Sequence, residues 1–303
     1  MAVTLYNINK WYKMLAGKSV WHVNQDIGKF FSKNEIKGYY NNMTEKVTMM
    51  PHLLDTENLP QLNISEGKLV DFPVAIFQYG LGAYDLYLQT KDDRYRRKCV
   101  QCAEWAINHL DKEGRWNNFF YVYPENPYGA MAQGEGVSLM LRVHIITKDE
   151  KYLHASKRAI DYMLKPMEQG GTTNYNKGNT IFMEYTHLPV VMNGWIFAWW
   201  GLYDYVLFTN DKRNYKHVLD KSLSSLMKYL PLFSCSYWSK YDSEGKIASP
   251  FYHNLHIAQM QAMYELTGEN IFRKYSECWV AQQRNPMNKG LAFIKKVYQK
   301  IIE

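Results

Sequence analysis

LMLRVHIITKDEKYLHASKRA, residues 139–159, decides the fold. A strongly apolar segment ends at a Thr-polar-acidic turn, and a second segment follows with charges set among its apolar positions. Three other stretches share that punctuation: LGAYDLYLQTKDDRYRRKC (81–99), WWGLYDYVLFTNDKRNYKHVL (199–219) and MQAMYELTGENIFRKYSEC (260–278). Their threonines, Thr90, Thr147, Thr209 and Thr267, recur at spacings of 57, 62 and 58 residues. The segment before each turn is apolar nearly all round, as Trp195 to Tyr203 shows, and such a helix must be buried on every side. The segment after it is amphipathic, with Tyr215, Val218, Leu219, Leu223, Leu226, Met227 and Leu230 at helical spacing. Inner apolar helices alternating with outer amphipathic ones predict a mainly α protein, an incomplete α/α toroid of about four helical hairpins.

A chain of 303 residues with 47% hydrophobic content can bury a large core. Its aromatic content is 16%, including 25 Tyr and 9 Trp, a surplus that suits stacking on sugar rings. The net charge of +7 favours an anionic partner, yet no long basic run or nucleic-acid module appears, so a polyanion other than nucleic acid is expected. Four cysteines make no disulfide framework, and Cys99 and Cys102 read as ordinary helix residues of a reducing compartment. Residues 190–208 are long enough to suggest a membrane span, but Asn193 and Asp204 and the repeat argue for a buried helix. MAVTLYNINKWYK lacks the apolar stretch of a signal peptide, so a cytoplasmic protein without a membrane span is expected.

Long loops precede the inner helices at 114–129, 170–186 and 236–250. Turn sequences NKGN and DSEGK between β-type runs predict short hairpins there, gathered at one mouth of the toroid. Residues 1–65 read as a small β-containing arm and 66–303 as the toroid, the catalytic domain.

The loops at 170–186 and 236–250, with the helix start that follows the second, carry Glu184, Tyr185, Tyr241 and Tyr252. A phenol, with an ordinary pKa of about 10, suits proton exchange beside a carboxylate, where one face needs a strong base and the other an acid. The C–H next to a carboxylate is so weakly acidic that the developing charge must also be neutralised. Two phenols on opposite faces of a sugar would remove a proton and return one from the other side. Lys246, His253 and His256 read as local sources of positive charge; the two histidines would otherwise be a helix-start region or a metal pair, and no nearby Cys or carboxylate completes a ligand set. Glu135, near a helix start, reads as helix-dipole stabilisation or as a functional carboxyl.

ENPYGAMAQGEGVSLMLRVHIITKDEKYL (125–153), MEYTHLPVVMNGWIFAWWGLYDY (183–205) and YDSEGK with FYHNLHIAQMQ (241–246 and 251–261) resemble the C-terminal domain of the D-glucuronyl C5-epimerases of heparan sulfate and heparosan. DFPVAIFQYGLGAYD (71–85) resembles a stretch those enzymes carry earlier in the chain. The resemblance spans about residues 70–280. It implies conversion of D-glucuronate to L-iduronate within an anionic, heparosan-like polysaccharide by proton exchange at C5, with no cofactor and no metal, and a homodimer. It places the catalytic residues at Tyr185, Tyr241, Tyr252 and Glu184, and substrate contacts at Gln78, Tyr79, Tyr128, Gln133, Asn193 and His253. Two features depart from the family. Its animal members insert a β-rich module for which this chain has no room. They also carry an arginine shortly after the tyrosine matching Tyr241, where this chain has Glu244; Lys246 is the substitute candidate for the cation.

Overall fold

The computed structural model describes residues 24–65 and 68–302. Its helices are α1 (Thr44–Thr48), α2 (Pro73–Thr90), α3 (Asp93–Asn108), α4 (Ala130–Thr147), α5 (Glu150–Met163), α6 (Met192–Thr209), α7 (Lys216–Tyr229), α8 (Pro250–Thr267), α9 (Asn270–Arg284) and α10 (Pro286–Ile302). Two small antiparallel sheets accompany them, β1 (Gln61–Ser65) with β2 (Lys68–Asp71) and β3 (Thr173–Asn174) with β4 (Ile181–Phe182).

The repeated threonine makes each corner. Its hydroxyl donates to the carbonyl four residues back, from Thr90 to Leu86, Thr147 to Val143, Thr209 to Tyr205 and Thr267 to Met263. It also accepts the N–H of the acid two residues on, in Asp92, Asp149, Asp211 and Glu269. The residue between is left-handed in every copy, with φ of 61° at Lys91, 59° at Lys148, 53° at Asn210 and 75° at Gly268. Asp92 and Asp149 then cap the outer helices by accepting from Arg94 N and Lys151 N, each cap being worth about 1 kcal/mol.

Inner helices α2, α4, α6 and α8 contact one another in chain order, each backed by its outer partner α3, α5, α7 or α9. Trp195, Ile196, Phe197, Trp200 and Leu202 of α6 are all buried, as an all-round apolar helix requires. Helices α4 and α6 cross at Gly134 and Gly201, where a Cβ on Gly134 would lie 2.5 Å from the Ala198 Cα. No helix among the described residues is long and apolar enough to cross a membrane, and α6 is the buried helix its sequence implies.

Residues 24–65 reach into this core. Tyr39, Tyr40, Met43 and Val47 are buried in it. Arg142 and Asp204 form a fully buried ion pair at 2.6 Å. Arg142 also donates to the carbonyls of Lys37 and Gly38, and the Tyr40 hydroxyl donates to Asp204. The arm is thereby tied across the C-terminal halves of α4 and α6. Residues 1–23 of the expected arm lie outside the described residues, and the β1–β2 hairpin spans the expected boundary at residue 65.

Of the three mouth loops, 170–186 contains the β3–β4 hairpin, and 236–250 folds back through a bridge between Lys240 and Ile247. Loop 114–129 has no strand pair; Asn118 N and Phe119 N both donate to the Pro127 carbonyl instead.

Candidate active site

Two loops and a helix start converge at the N-terminal ends of α6 and α8. Tyr241 N donates to the Lys246 carbonyl at 2.6 Å, closing the 236–250 hairpin. The Asp242 carboxylate accepts from Glu244 N and Lys246 N, both at 3.1 Å, and sets the turn. Asp242 also bridges Val191, while Ser243 N donates to the Val190 carbonyl and Val190 N to the Ser243 hydroxyl. These bonds fasten the Tyr241 hairpin to the segment that leads from Glu184 and Tyr185 into α6. Tyr252 stands in the first turn of α8, where the Ser249 hydroxyl accepts its N–H and Pro250 opens the helix.

The structure brings the four expected catalytic residues together. The Tyr241 and Tyr252 rings meet edge to face with centroids 4.8 Å apart. Phe119 stacks on Tyr185 at 4.5 Å, and Tyr123 packs on its edge at 5.8 Å. The Glu184 carboxyl and the phenols of Tyr185, Tyr241 and Tyr252 lie within electrostatic reach of one another. Burial pushes the Glu184 carboxyl up to about 7, opposed by its bond with the Tyr185 hydroxyl. Burial likewise raises all three phenols, and the Glu184 charge raises them further. A sugar ring touched on both faces needs about 7 Å between its neighbours, so Tyr241 and Tyr252 as they stand touch each other rather than straddling a pyranose.

The expected substrate contacts divide. Gln78 Nε2 donates to Glu135 Oε1 at 2.8 Å inside the toroid. Gln133 and Asn193 are buried, and Gln133 Oε1 and Asn193 Oδ1 have no partner among the described residues. Tyr79 turns instead into the core, its hydroxyl donating to the Met50 carbonyl. Tyr128 carries the Arg115 guanidinium 4.4 Å from its ring centroid and packs on Tyr162. Lys246 is exposed on the hairpin. His253 stacks on Trp238 at 3.6 Å, and its Nδ1 shares the Ser239 hydroxyl with His256 Nδ1. Burial lowers His253 to about 4 and His256 to about 3, so both are neutral supports of the hairpin. Among the described residues no group of three or more His, Cys, Asp or Glu is placed to hold a metal ion.

Glu135 and Lys46 feel each other's charge. Burial raises Glu135 to about 8 and lowers Lys46 to about 8, each moderated by the other's charge. Nothing in the sequence near Lys46 points there, because the arm places it from a distance. Ser239 could have been found from its place two residues before Tyr241, where strand alternation returns it to the Tyr241 face.

Fold and site together define an α/α toroid whose mouth carries a linked set of phenols and a carboxyl. The chain belongs to the family D-glucuronyl C5-epimerase C-terminus, which matches residues 101–281. An uncharacterized protein of Methanocaldococcus jannaschii is 25% identical over 281 residues, covering 82% of this chain and 89% of that protein. The D-glucuronyl C5-epimerase of Caenorhabditis elegans is 24% identical over 206 residues, covering 59% of this chain and 33% of the nematode enzyme. This chain thus aligns with about a third of that enzyme's length. Among solved structures, the unsaturated glucuronyl hydrolase of Bacillus sp. GL1 shares the fold, with a TM-score of 0.51 at 9% identity over 92% of this chain and 84% of the hydrolase.

Proposed function

We propose that this protein is a uronate C5-epimerase that converts D-glucuronate to L-iduronate within a heparosan-like polysaccharide. The observation that carries the reading is the linked set of Glu184, Tyr185, Tyr241 and Tyr252 at one mouth of the toroid. Family membership supports a uronate-processing enzyme of this type.

One phenol takes the C5 proton while another delivers a proton to the opposite face, and net proton count is unchanged. A raised phenol is a weak base alone. With the Glu184 carboxyl near 7 beside Tyr185, a phenol that gains a substrate proton can pass its own toward Glu184. Substrate entry parts the Tyr241–Tyr252 contact and exchanges phenol–phenol contacts for phenol–sugar ones. Substrate hydroxyls also supply donors for the unpartnered acceptors Glu184 Oε2, Gln133 Oε1 and Asn193 Oδ1. A cleft of about 430 Å³ lined by Gln61, Asp71, Trp105, His109, Asn117 and Phe120 has aromatic walls that suit pyranose faces.

The test is incubation with heparosan followed by analysis of the uronates by NMR. L-iduronate at unchanged chain length supports the reading. Chain shortening with an ultraviolet-absorbing unsaturated product would assign a lyase instead, since both reactions begin with loss of the C5 proton.

A further inference from the structure

Helix α10 fastens the Tyr241 hairpin from behind. Gln299 accepts from Ile247 N at 2.9 Å and donates to the Gly245 carbonyl at 3.1 Å, so it brackets the outgoing arm of the hairpin. One turn earlier, Lys296 Nζ donates to the Ile247 carbonyl at 2.7 Å. Another turn back, Ala292 is buried with Trp238, Ile247 and Ala248. The three residues stand at i, i+4 and i+7, one face of a helix. Asp242 sets the hairpin turn and Tyr241 N bonds to the Lys246 carbonyl, so the hairpin and α10 are held in one register.

That grip fixes a positive charge beside a phenol. Half-buried and bonded to Ile247, Lys296 holds its ammonium 6.0 Å from the centroid of the Tyr241 ring, a cation–π distance. The surroundings of Tyr241 otherwise oppose ionisation: burial, then the charges of Glu184, Tyr252 and Tyr185, all raise its phenol. His253 and His256 are neutral, and Lys246 is exposed on the hairpin. A uronate carboxylate entering the site adds a further negative charge. Whichever face of the sugar Tyr241 serves, its oxygen carries negative charge once in each turnover, before taking a proton or after giving one. A cation already oriented by a backbone carbonyl meets that charge without reorganising. The lysine also lies beyond the family match, which ends at residue 281.

We propose that Lys296 is a positioning residue of the active site, whose ammonium, held on the Ile247 carbonyl, stabilises the anionic form of Tyr241. Its part in turnover rests on the epimerase reading, whereas the pairing of the two side chains is measurable without substrate.

The experiment is a fluorine NMR titration of the full chain carrying Tyr241→difluorotyrosine, whose fluorines bring the phenol into an accessible pH range. Lys296→Met should raise the titration midpoint by about one unit, and Lys296→Arg, which keeps the charge, should leave it near the parent value. Should Lys296→Met unfold, Lys296→Gln, which retains a donor for the Ile247 carbonyl, carries the test. In deuterium-exchange assays on heparosan with the natural tyrosine, Lys296→Met should lower kcat about tenfold with little change in KM. It should also move the limb of the pH profile that Tyr241 sets to higher pH, with recovery in Lys296→Arg. A midpoint unmoved by loss of the charge in a folded variant overturns the proposal. So does an equal loss of kcat in Lys296→Arg and Gln299→Leu, which would make α10 a mechanical clamp alone. A shifted midpoint in a chain that exchanges no deuterium would sink the epimerase reading and leave the pairing standing.

Discussion

Gly194 packs so closely beneath Glu184 that a Cβ on Gly194 would fall 2.1 Å from Glu184 Oε2 and 2.6 Å from Glu184 Cβ. The first turn of α6 therefore sets where the carboxyl can lie, and the asparagine–glycine pair at 193–194 is tied to the glutamate ten residues before the glycine. Gly194→Ala should displace the carboxyl and lower epimerisation by about 100-fold, while overpacking costs about 1–3 kcal/mol of stability. Activity assays and denaturant titration on the same preparation measure both. Wild-type activity in this variant would remove the Glu184 position from the account.

Tyr252→Phe deletes one hydroxyl and keeps a ring to pack on Tyr241 and Phe251, whose centroids lie 4.8 Å and 5.1 Å away. The variant should lose epimerisation yet retain its circular dichroism spectrum, with stability within about 1 kcal/mol of the parent. Full activity would exclude this phenol from proton transfer.

Asp204 holds Arg142 and Tyr40 in a site from which solvent is excluded. Asp204→Asn leaves a buried guanidinium without its counter-ion and should cost about 3–5 kcal/mol. Replacing Arg142 and Asp204 together with Met and Leu should cost less than the single change, a comparison read by equilibrium unfolding.

Stability should depend on pH in two opposed ways. Burial raises Asp85 and Glu184 to about 7 and Glu135 to about 8, from ordinary carboxyl values near 4. Each binds its proton more tightly folded than unfolded, so it subtracts stability as pH rises between its unfolded and folded values. His253 and His256, lowered to about 4 and 3, subtract stability as pH falls below about 6.5. The thermal midpoint should therefore rise as pH drops from 8 to 6.5, then fall once pH passes below about 4.5. Calorimetry across this range checks it, and Glu135→Gln should reduce the first rise.

The repeat was legible because every copy uses the same local chemistry, a threonine hydroxyl bonded to its own helix and to the acid that starts the next. The tyrosine cluster was legible because its residues sit in turn-rich loops beside distinctive motifs. The role of the arm was not, because Tyr40 and Asp204 lie 164 residues apart and no local pattern announces their bond. Helix phase misled at Gln78 and Tyr79: neighbours on a helix point about 100° apart, and only Gln78 reaches Glu135 while Tyr79 turns to the Met50 carbonyl. Tyr128 was a motif residue whose partner, Arg115, comes from the start of the same loop.

Proton exchange at C5 is most directly measured by incubating the protein with heparosan in deuterated water and following label at that carbon by NMR and mass spectrometry. The account predicts deuterium at C5 of both uronate epimers, with none incorporated by Tyr252→Phe. Undeuterated polysaccharide recovered from a folded, substrate-bound wild-type protein would contradict it.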